Sequence, residues 1–235
     1  MRGLYAIVDV ETLAARGIEP VAFARAVLAV RPAALQLRAK EASAREALSL
    51  LRALSPLCRR AGVPLVANDR PDLAALAACP LVHVGQSDMP IERVRRTVAG
   101  ARESVGVGVS THELAELEAA LAARPAYVAF GPVFATASKK DAHAPVGIDA
   151  LRAAYARAVA AGVPLVAIGG ITRERAPALV GMADAVAVIG ELVPPRDPSE
   201  TLDGVLREVT ERARTLHALF APHPAATIAR FMQRS

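Results

Sequence analysis

The sequence predicts an α/β protein that folds as a single-domain (β/α)8 barrel of the TIM-barrel type. Short runs rich in Val, Ile and Leu recur along the 235 residues, and each is followed by a segment with helical spacing. Apolar strands that alternate with helices indicate a parallel sheet covered on both faces. Eight such units, with no Pro/Gly-rich linker between them, favour a closed barrel, and an open doubly wound sheet is the alternative.

The predicted strands begin near the amino terminus and end just before residue 190. They are Leu4–Val8, Ala34–Leu37, Pro64–Ala67, Leu81–Val84, Val105–Val109, Tyr127–Phe130, Pro164–Ile168 and Ala185–Ile189. Apolar residues spaced three and four apart predict helices between them, as from Leu48 to Cys58 and from Leu202 to Val209. We expect the barrel domain to cover residues 1–216 and residues 217–235 to form a tail or an extra helix.

Two capping boxes mark predicted helix starts. Ser43 with Glu46, and Ser110 with Glu113, match the pattern in which a serine and a glutamate satisfy each other's backbone N–H groups. The hydroxyl of Ser110 could instead bind a ligand, but the sequence offers no general base that would make it a nucleophile.

The composition suits an α/β interior packed with Ala, Val and Leu. The chain is 53% apolar but only 3% aromatic, which argues against stacking of nucleic-acid bases. Its net charge of +5 comes from arginines scattered along helices, so a solvated surface explains it, although anionic substrates would also be attracted. Two lone cysteines, no apolar run long enough to span a bilayer and no signal peptide predict a cytoplasmic protein without a membrane partner. Whether the protein forms a homo-oligomer is left open by the sequence.

Gln36, Arg38 and Lys40 fall two residues apart at the end of the second predicted strand. Alternate side chains of a strand point to opposite faces, so these three share one face. Two desolvated cations on one face are unfavourable unless an anion or carboxylates compensate them. The pattern indicates a site for a multiply charged anion at the carboxyl ends of the strands, which is the catalytic face of such a barrel.

Asp69 and Asp88 follow the third and fourth predicted strands, which are neighbours in the barrel. Two carboxylates, with the other positions left to water and phosphate oxygens, are a common Mg²⁺ arrangement. Each aspartate alone could equally cap a helix, because Pro71 and Pro90 stand at plausible first turns. Together, beside Arg38 and Lys40, they favour a metal site.

Hydroxyls and lysines lie together in the long connection from Gly131 to Val146. Thr136, Ser138 and Lys139 suit a phosphate-binding lid, since long connections inside a compact domain are often functional. A solvated loop is the alternative.

Glycines follow strands seven and eight, at Gly169-Gly170 and at Gly190. Glycine there lets backbone N–H groups approach a phosphate, although tight turns alone would also need it. With the cations after strand two and the metal site after strands three and four, they predict a cation-rich mouth with two anion sites. Such a mouth would hold two phosphorylated molecules.

The chain resembles the thiamine-phosphate synthase family from about Leu4 to Leu192. The resemblance is carried, in one order, by QLRAK (36–40), NDR (68–70), HVGQSDMP (83–90), GVST (108–111), YVAFGPVF (127–134) and AIGGI (167–171). It implies a barrel that joins hydroxymethylpyrimidine diphosphate to hydroxyethylthiazole phosphate, or to its carboxylated form, and releases diphosphate. It also implies a dissociative route, in which diphosphate leaves before the thiazole nitrogen arrives and no protein nucleophile is needed.

The resemblance also implies roles for individual residues. Those expected to bind the pyrimidine diphosphate are Gln36, Arg38, Lys40, Asn68, Ser110 and Lys139. Of these, the expected catalytic residues are Arg38, Lys40, Ser110 and Lys139. Those expected to bind the thiazole phosphate are Thr136, Ser138 and Gly170, with the backbone at Ile189 and Gly190. Asp69 and Asp88 are expected to hold Mg²⁺. Gly190 departs from the family, which commonly has Ser there, so a hydroxyl is lost but the backbone donor is kept.

Two other functions stay open at this point. A thiazole tautomerase-like isomerase would share the fold and a phosphate site, would use His112 as acid and base, and would need no metal. His112 is also a plausible helix-start histidine with no special role. A non-catalytic barrel that binds phosphorylated ligands would tolerate loss of the metal carboxylates, but both are present.

Overall fold

The computed structural model is a closed barrel of eight parallel strands, which confirms the predicted fold class. It describes residues 1–101, 104–136, 144–195 and 199–221. Each strand pairs in parallel with the next one along the chain, and the eighth pairs with the first. No helix within the described ranges is long and apolar enough to cross a membrane.

The eight strands are β1 (Gly3–Asp9), β2 (Ala34–Arg38), β3 (Leu65–Asn68), β4 (Leu81–Val84), β5 (Gly106–Thr111), β6 (Tyr127–Phe130), β7 (Leu165–Ile168) and β8 (Ala185–Val188). Four of the eight strands, β1, β2, β3 and β5, end in a polar residue. The predicted bounds of the fourth and sixth strands agree with these, and the other predicted bounds differ by one or two residues at one or both ends.

Helices follow the strands on the outside of the barrel. They are α1 (Val10–Ala14), α2 (Pro20–Leu28), α3 (Ala44–Ala61), α4 (Pro71–Leu76), α5 (Ile91–Val98), α6 (Leu114–Ala122), α7 (Gly147–Ala161) and α8 (Leu202–Phe220). Two 3-10 helices, Ala176–Leu179 and Gly190–Leu192, follow β7 and β8.

Alternation along the strands divides the apolar core in two. In β1, Leu4, Ala6 and Val8 pack toward the helices, whereas Tyr5 and Ile7 lie in the cluster that fills the barrel interior. Because the inward residues near the amino-terminal end are apolar, the lower part of the barrel is sealed. Inward positions near the carboxyl ends of β1, β2, β3 and β5 are polar, namely Asp9, Arg38, Asn68 and Ser110, and the barrel opens there.

One predicted capping box is confirmed and the other is wrong. The Ser43 hydroxyl accepts the Glu46 N–H, and the Glu46 carboxylate accepts the Ser43 N–H at 2.8 Å. At the second site β5 runs on through Thr111, and α6 begins after Glu113 with no side-chain cap. Ser110 therefore lies within a strand and faces the barrel interior, so its hydroxyl is not available to a helix.

The last helix is tied to the first strand. Helix α8 continues to Phe220, which is buried, so the boundary expected at residue 216 falls inside a helix. The ring of His217 accepts the Leu4 N–H at 3.3 Å through Nδ1. Residues 222–235, which make up most of the predicted tail, lie outside the described residues, and the domain boundary stays a prediction.

Candidate functional site

A cavity of about 1100 Å³ opens at the carboxyl ends of the strands. Among its lining residues are ten of those expected in the site, namely Arg38, Lys40, Asn68, Asp69, Asp88, Ser110, Thr136, Gly170, Ile189 and Gly190. The strands bring these side chains together from distant parts of the sequence. Ser138 and Lys139 lie outside the described residues, and Gln36 lies one inward position deeper than Arg38 on β2.

Arg38 is held by a carboxylate that was not predicted from the sequence. Asp9 ends β1 directly beside Arg38 in the strand register, and Asp9 Oδ2 accepts from Arg38 Nη1 at 2.5 Å. The other oxygen of Asp9 accepts the Thr12 N–H at 2.9 Å and so caps α1. Asp9 is 3% exposed and Arg38 is 16% exposed, so the pair is largely removed from water. Asp9 could have been found by extending the inward alternation of Tyr5 and Ile7 by two residues.

Lys40, Asn68 and Asp69 form a second charged group across β2 and β3. The Lys40 ammonium lies 2.5 Å from Asp69 Oδ2, and the Asn68 amide donates to the same oxygen at 2.7 Å. Asp69 takes a left-handed backbone conformation with φ of 60°, and its N–H donates to the His83 carbonyl at 2.8 Å. Its carboxylate is thereby turned into the cavity rather than toward α4, so it does not act as a helix cap.

Asp88 lies against Asp69, as the metal-site prediction requires. Its Oδ2 accepts the Gly85 N–H at 2.8 Å, which fixes the turn after β4. Burial raises the pKa of Asp69, and the adjacent Asp88 carboxylate raises it further, against the opposing effect of Lys40. Burial by itself would raise the pKa of Asp88. Hydrogen bonds with Asp69 and with the Gly85 N–H outweigh it and lower the pKa below its ordinary value. Two adjacent carboxylates are donors that a hard divalent cation accepts.

The amide of Gln36 is an unpaired donor beneath this cluster. Gln36 is 3% exposed, and its Nε2 has no hydrogen-bond partner among the described residues. A buried amide without a partner is unfavourable, because it has lost its water and gained nothing in exchange. The group fits a ligand that presents an acceptor deep in the mouth.

The glycines after β7 are required by packing. Gly170 has φ of 62°, and a Cβ there would lie 2.4 Å from the Ala135 carbonyl oxygen and 2.8 Å from Phe134 Cβ. Close approach between the β6 and β7 loops therefore explains this glycine, and a phosphate contact is not needed to account for it. Arg175 closes this side of the cavity, because it donates to the Gly170 carbonyl at 2.9 Å and stacks over Phe134 at 5.2 Å.

Ser110 is the last member of a hydrogen-bonded series that crosses the barrel. Its hydroxyl lies 2.8 Å from His83 Nε2, and its carbonyl accepts from the Gln86 amide at 2.6 Å. No role for His83 is predicted from the sequence, because a histidine inside an apolar strand looks there like any other buried histidine.

His112 is anchored through one ring nitrogen. Its Nδ1 lies 2.6 Å from the Gly131 carbonyl oxygen, which can only accept, so Nδ1 carries a proton. The ring lines the cavity. This bond orients the imidazole, so any role of His112 as the base that the isomerase alternative requires would fall to Nε2.

The described walls of the cavity hold more carboxylates than cations. The carboxylates are those of Asp9, Glu11, Glu41, Asp69, Asp88 and Glu191, and the cations are Arg38, Lys40 and Arg175. The predicted cation-rich mouth is therefore wrong for the described residues. A diphosphate would be repelled by this balance unless a further cation enters with it, because close like charges oppose binding.

Fold and site together define a (β/α)8-barrel protein with a polar site at the carboxyl ends of its strands, where enzymes of this fold carry their catalytic groups. Residues 4–192 match the family model described as thiamine monophosphate synthase. The chain therefore belongs to this family, and the resemblance found in the sequence is confirmed.

Individual relatives agree with the family match. A thiamine-phosphate synthase from Chloroflexus aurantiacus is 37% identical over 217 residues, which cover 92% of this chain and 91% of the relative. One from a Roseiflexus species is 40% identical over 188 residues, which cover 80% of this chain and 72% of the relative. Among solved structures, a thiamine phosphate pyrophosphorylase from Pyrococcus furiosus matches with a TM-score of 0.75 at 25% identity, over 92% of this chain and 94% of that one.

Proposed function

We propose that the chain is a thiamine-phosphate synthase, a transferase that joins hydroxymethylpyrimidine diphosphate to hydroxyethylthiazole phosphate or its carboxylated form. Membership of the family supports this activity. The main structural support for this proposal is the cluster of Lys40, Asp69 and Asp88 in a cavity of about 1100 Å³. A space of that size exceeds what one small ligand needs, which suits two substrates bound together.

Asp69 and Asp88 fit Mg²⁺. They offer two carboxylates at one point, and the surplus of negative charge on the described walls leaves a diphosphate in need of a cation that accompanies it. When bound, Mg²⁺ would neutralise diphosphate oxygens and stabilise the charge that develops on the leaving group.

The side chains around the carboxylates would orient the pyrimidine diphosphate. Arg38, held in place by Asp9, and Lys40 would donate to diphosphate oxygens, and charge-assisted bonds of this kind are the strong ones. The unpaired Gln36 amide, with Asn68 and Ser110, would bind the pyrimidine. Lys139, outside the described residues, is proposed as a further cation on the diphosphate.

The thiazole phosphate would bind on the opposite side, at the ends of β6, β7 and β8. Thr136, Gly170, Ile189 and Gly190 line this side of the cavity. We assign the phosphate to the Thr136 hydroxyl and to backbone N–H groups at Gly170 and Gly190, together with Ser138 outside the described residues.

The reaction requires bond breaking without a protein nucleophile. The bond between the pyrimidine methylene carbon and the diphosphate oxygen breaks, and its electron pair leaves with the diphosphate. The electron-rich aminopyrimidine stabilises the cation that remains on the methylene carbon. The lone pair of the thiazole nitrogen then forms the new C–N bond and gives the thiazolium product. Arg38 and Lys40 would lower the barrier by stabilising the charge on the leaving oxygens.

Diphosphate release tests this function. The purified protein is incubated with each substrate alone and with both, in the presence and absence of Mg²⁺. We expect release only with both substrates and the metal. Asp69→Asn should abolish release, because the metal loses a charged ligand. The matched control is Asp72→Asn, which changes a nearby carboxylate paired with Arg70 on the surface and should leave release unchanged.

The same assay separates the alternatives. Release that depends on neither the second substrate nor the metal would contradict the synthase. An isomerase would convert a thiazole phosphate in the absence of metal and diphosphate, and a binding protein would release nothing. We also place the protein in the cytoplasm, which the buried free thiols Cys58 and Cys79 support, and small-molecule substrates as its partners.

A further inference from the structure

A line of four hydrogen-bonded side chains runs through the barrel interior to the cavity. The Tyr5 and Tyr127 hydroxyls lie 2.7 Å apart, Tyr127 Oη lies 2.8 Å from His83 Nδ1, and His83 Nε2 lies 2.8 Å from the Ser110 hydroxyl. All four residues are buried. Tyr5 stands at the apolar end of the interior, whereas Ser110 lines the cavity. The line therefore connects the sealed part of the barrel with the open mouth.

The number of protons determines the direction of these bonds. With a neutral imidazole, the four side chains carry four polar hydrogens, but only three hydrogen bonds join them. One hydrogen must therefore point out of the line: from Tyr5, from Ser110, or from Tyr127, which would then accept from both of its neighbours. Tyr127 is fully buried, and its hydroxyl has no further hydrogen-bond partner among the described residues, so a hydrogen pointing out from it would be unfavourable.

The surroundings of the two ends are different. The neighbours of Tyr5 in the interior cluster are apolar, and Tyr127 is the only hydrogen-bond partner of its hydroxyl among the described residues. A hydroxyl hydrogen left there without an acceptor would be unfavourable. At Ser110 the hydrogen points into a cavity where a ligand or water can accept it. The favoured direction is from Tyr5 to Tyr127 to His83 to Ser110.

A glycine on β5 provides the room that the Tyr127 ring needs inside the barrel. Residue 108 on β5 is glycine, and a Cβ there would lie 2.0 Å from Tyr127 Cζ, so only glycine lets this ring cross the barrel. The rings of His83 and Tyr127 stack with centroids 5.6 Å apart. Burial raises the pKa of both tyrosine hydroxyls, so both stay protonated donors at neutral pH.

We propose that Tyr5 and Tyr127 hold His83 as the tautomer with hydrogen on Nε2, and that His83 thereby makes the Ser110 hydroxyl a donor aimed at the ligand. His83 receives a hydrogen bond at Nδ1, donates from Nε2 to Ser110, and leaves the serine hydrogen for an acceptor on the pyrimidine diphosphate. His83, Tyr127 and Tyr5 are positioning residues, because they act through Ser110. This inference rests on the proposed function for the identity of the ligand.

The tautomer can be measured directly in the full chain. Two-bond ¹H–¹⁵N correlation spectra of protein labelled at histidine distinguish a ring nitrogen that carries hydrogen from one that does not, and His83→Gln assigns the His83 signals among the five histidines. We expect hydrogen on Nε2 and none on Nδ1. Hydrogen on Nδ1, alone or together with Nε2, would overturn the proposal. Because this measurement uses the wild-type protein, it does not depend on whether a variant folds.

A double-mutant cycle tests the action through Ser110. Loss of one neutral hydrogen bond from the line should lower kcat/KM of Tyr127→Phe by about tenfold. In a Ser110→Ala background the same change should have little further effect, because the residue through which it acts is gone. An equal loss in both backgrounds would show a merely structural role and would overturn the proposal. Tyr155→Phe on α7 is the matched control, since it removes a tyrosine hydroxyl outside the line.

The two measurements separate this inference from the proposed function. If no diphosphate release is seen but His83 carries hydrogen on Nε2 alone, the proposed substrates are wrong and the direction of the hydrogen-bond line stands. If release occurs and the tautomer is the other one, the function stands and the inference fails.

Discussion

Asp9→Asn is the substitution that tests the buried ion pair at the mouth most cleanly. Asparagine keeps an oxygen that can accept the Thr12 N–H, so the cap of α1 survives. It removes the negative charge 2.5 Å from Arg38 Nη1. The substitution therefore isolates the charge of Asp9 from its role as a helix cap.

The expected loss follows from burial. Removing one partner of a buried ion pair costs about 3–5 kcal/mol, because the other charge is left uncompensated. Asp9 is 3% exposed, but Arg38 is 16% exposed and keeps Glu11 at 3.8 Å as a second carboxylate. We therefore expect the lower end, a loss of about 3 kcal/mol in the free energy of unfolding.

Urea denaturation followed by circular dichroism measures this loss. The matched control is Asp149→Asn, which neutralises an aspartate that is 96% exposed and paired with Arg152 three residues away. Exposed pairs of this kind contribute little, so the control should unfold like the wild type. If Asp9→Asn unfolded at the same urea concentration as the control, the account of Arg38 as a desolvated cation held by Asp9 would be refuted.

Three further predictions concern pH, packing and chemistry. Burial lowers the pKa of His217 from its ordinary value of 6.5, so the unfolded chain binds the extra proton first as pH falls. The free energy of unfolding should fall as pH drops below 6.5, and His217→Gln should reduce that fall in urea titrations at about pH 7.5 and about pH 5.5. Gly108→Ala should cost about 1–3 kcal/mol or more, because its Cβ would overlap Tyr127, whereas Gly100→Ala, with nothing within 4 Å, should cost far less in the same denaturation experiment. An electron-withdrawing substituent on the pyrimidine should slow turnover by orders of magnitude in the diphosphate assay, and an unchanged rate would rule out the dissociative route.

The number and order of the strands could be predicted because apolar runs signal buried parallel strands directly. The strand ends were harder to predict. In the structure β1 reaches Asp9, β2 reaches Arg38, β3 reaches Asn68 and β5 reaches Thr111. Asp9, Arg38 and Asn68, with Ser110 in β5, are polar because they line the open mouth, and a search for apolar runs stops before them. The incorrect capping box at Ser110 has the same cause.

Individual residues of the site could be predicted from the sequence, but the contacts between them could not. The residues at the strand ends are visible in the sequence, and the resemblance to a family assigns them to two ligands. The strand register, however, decides that Asp9 lies beside Arg38 and that His83 reaches Ser110. Such contacts join residues far apart in the chain, so neither spacing nor composition indicates them.

The position of the metal tests the central claim most directly. A crystal structure of the protein with Mg²⁺ and the pyrimidine diphosphate should show one cation about 2.1 Å from oxygens of Asp69, Asp88 and the diphosphate. A cation bound elsewhere in the mouth, with both aspartates turned away from it, would contradict the claim that these two carboxylates bring the metal to the leaving group.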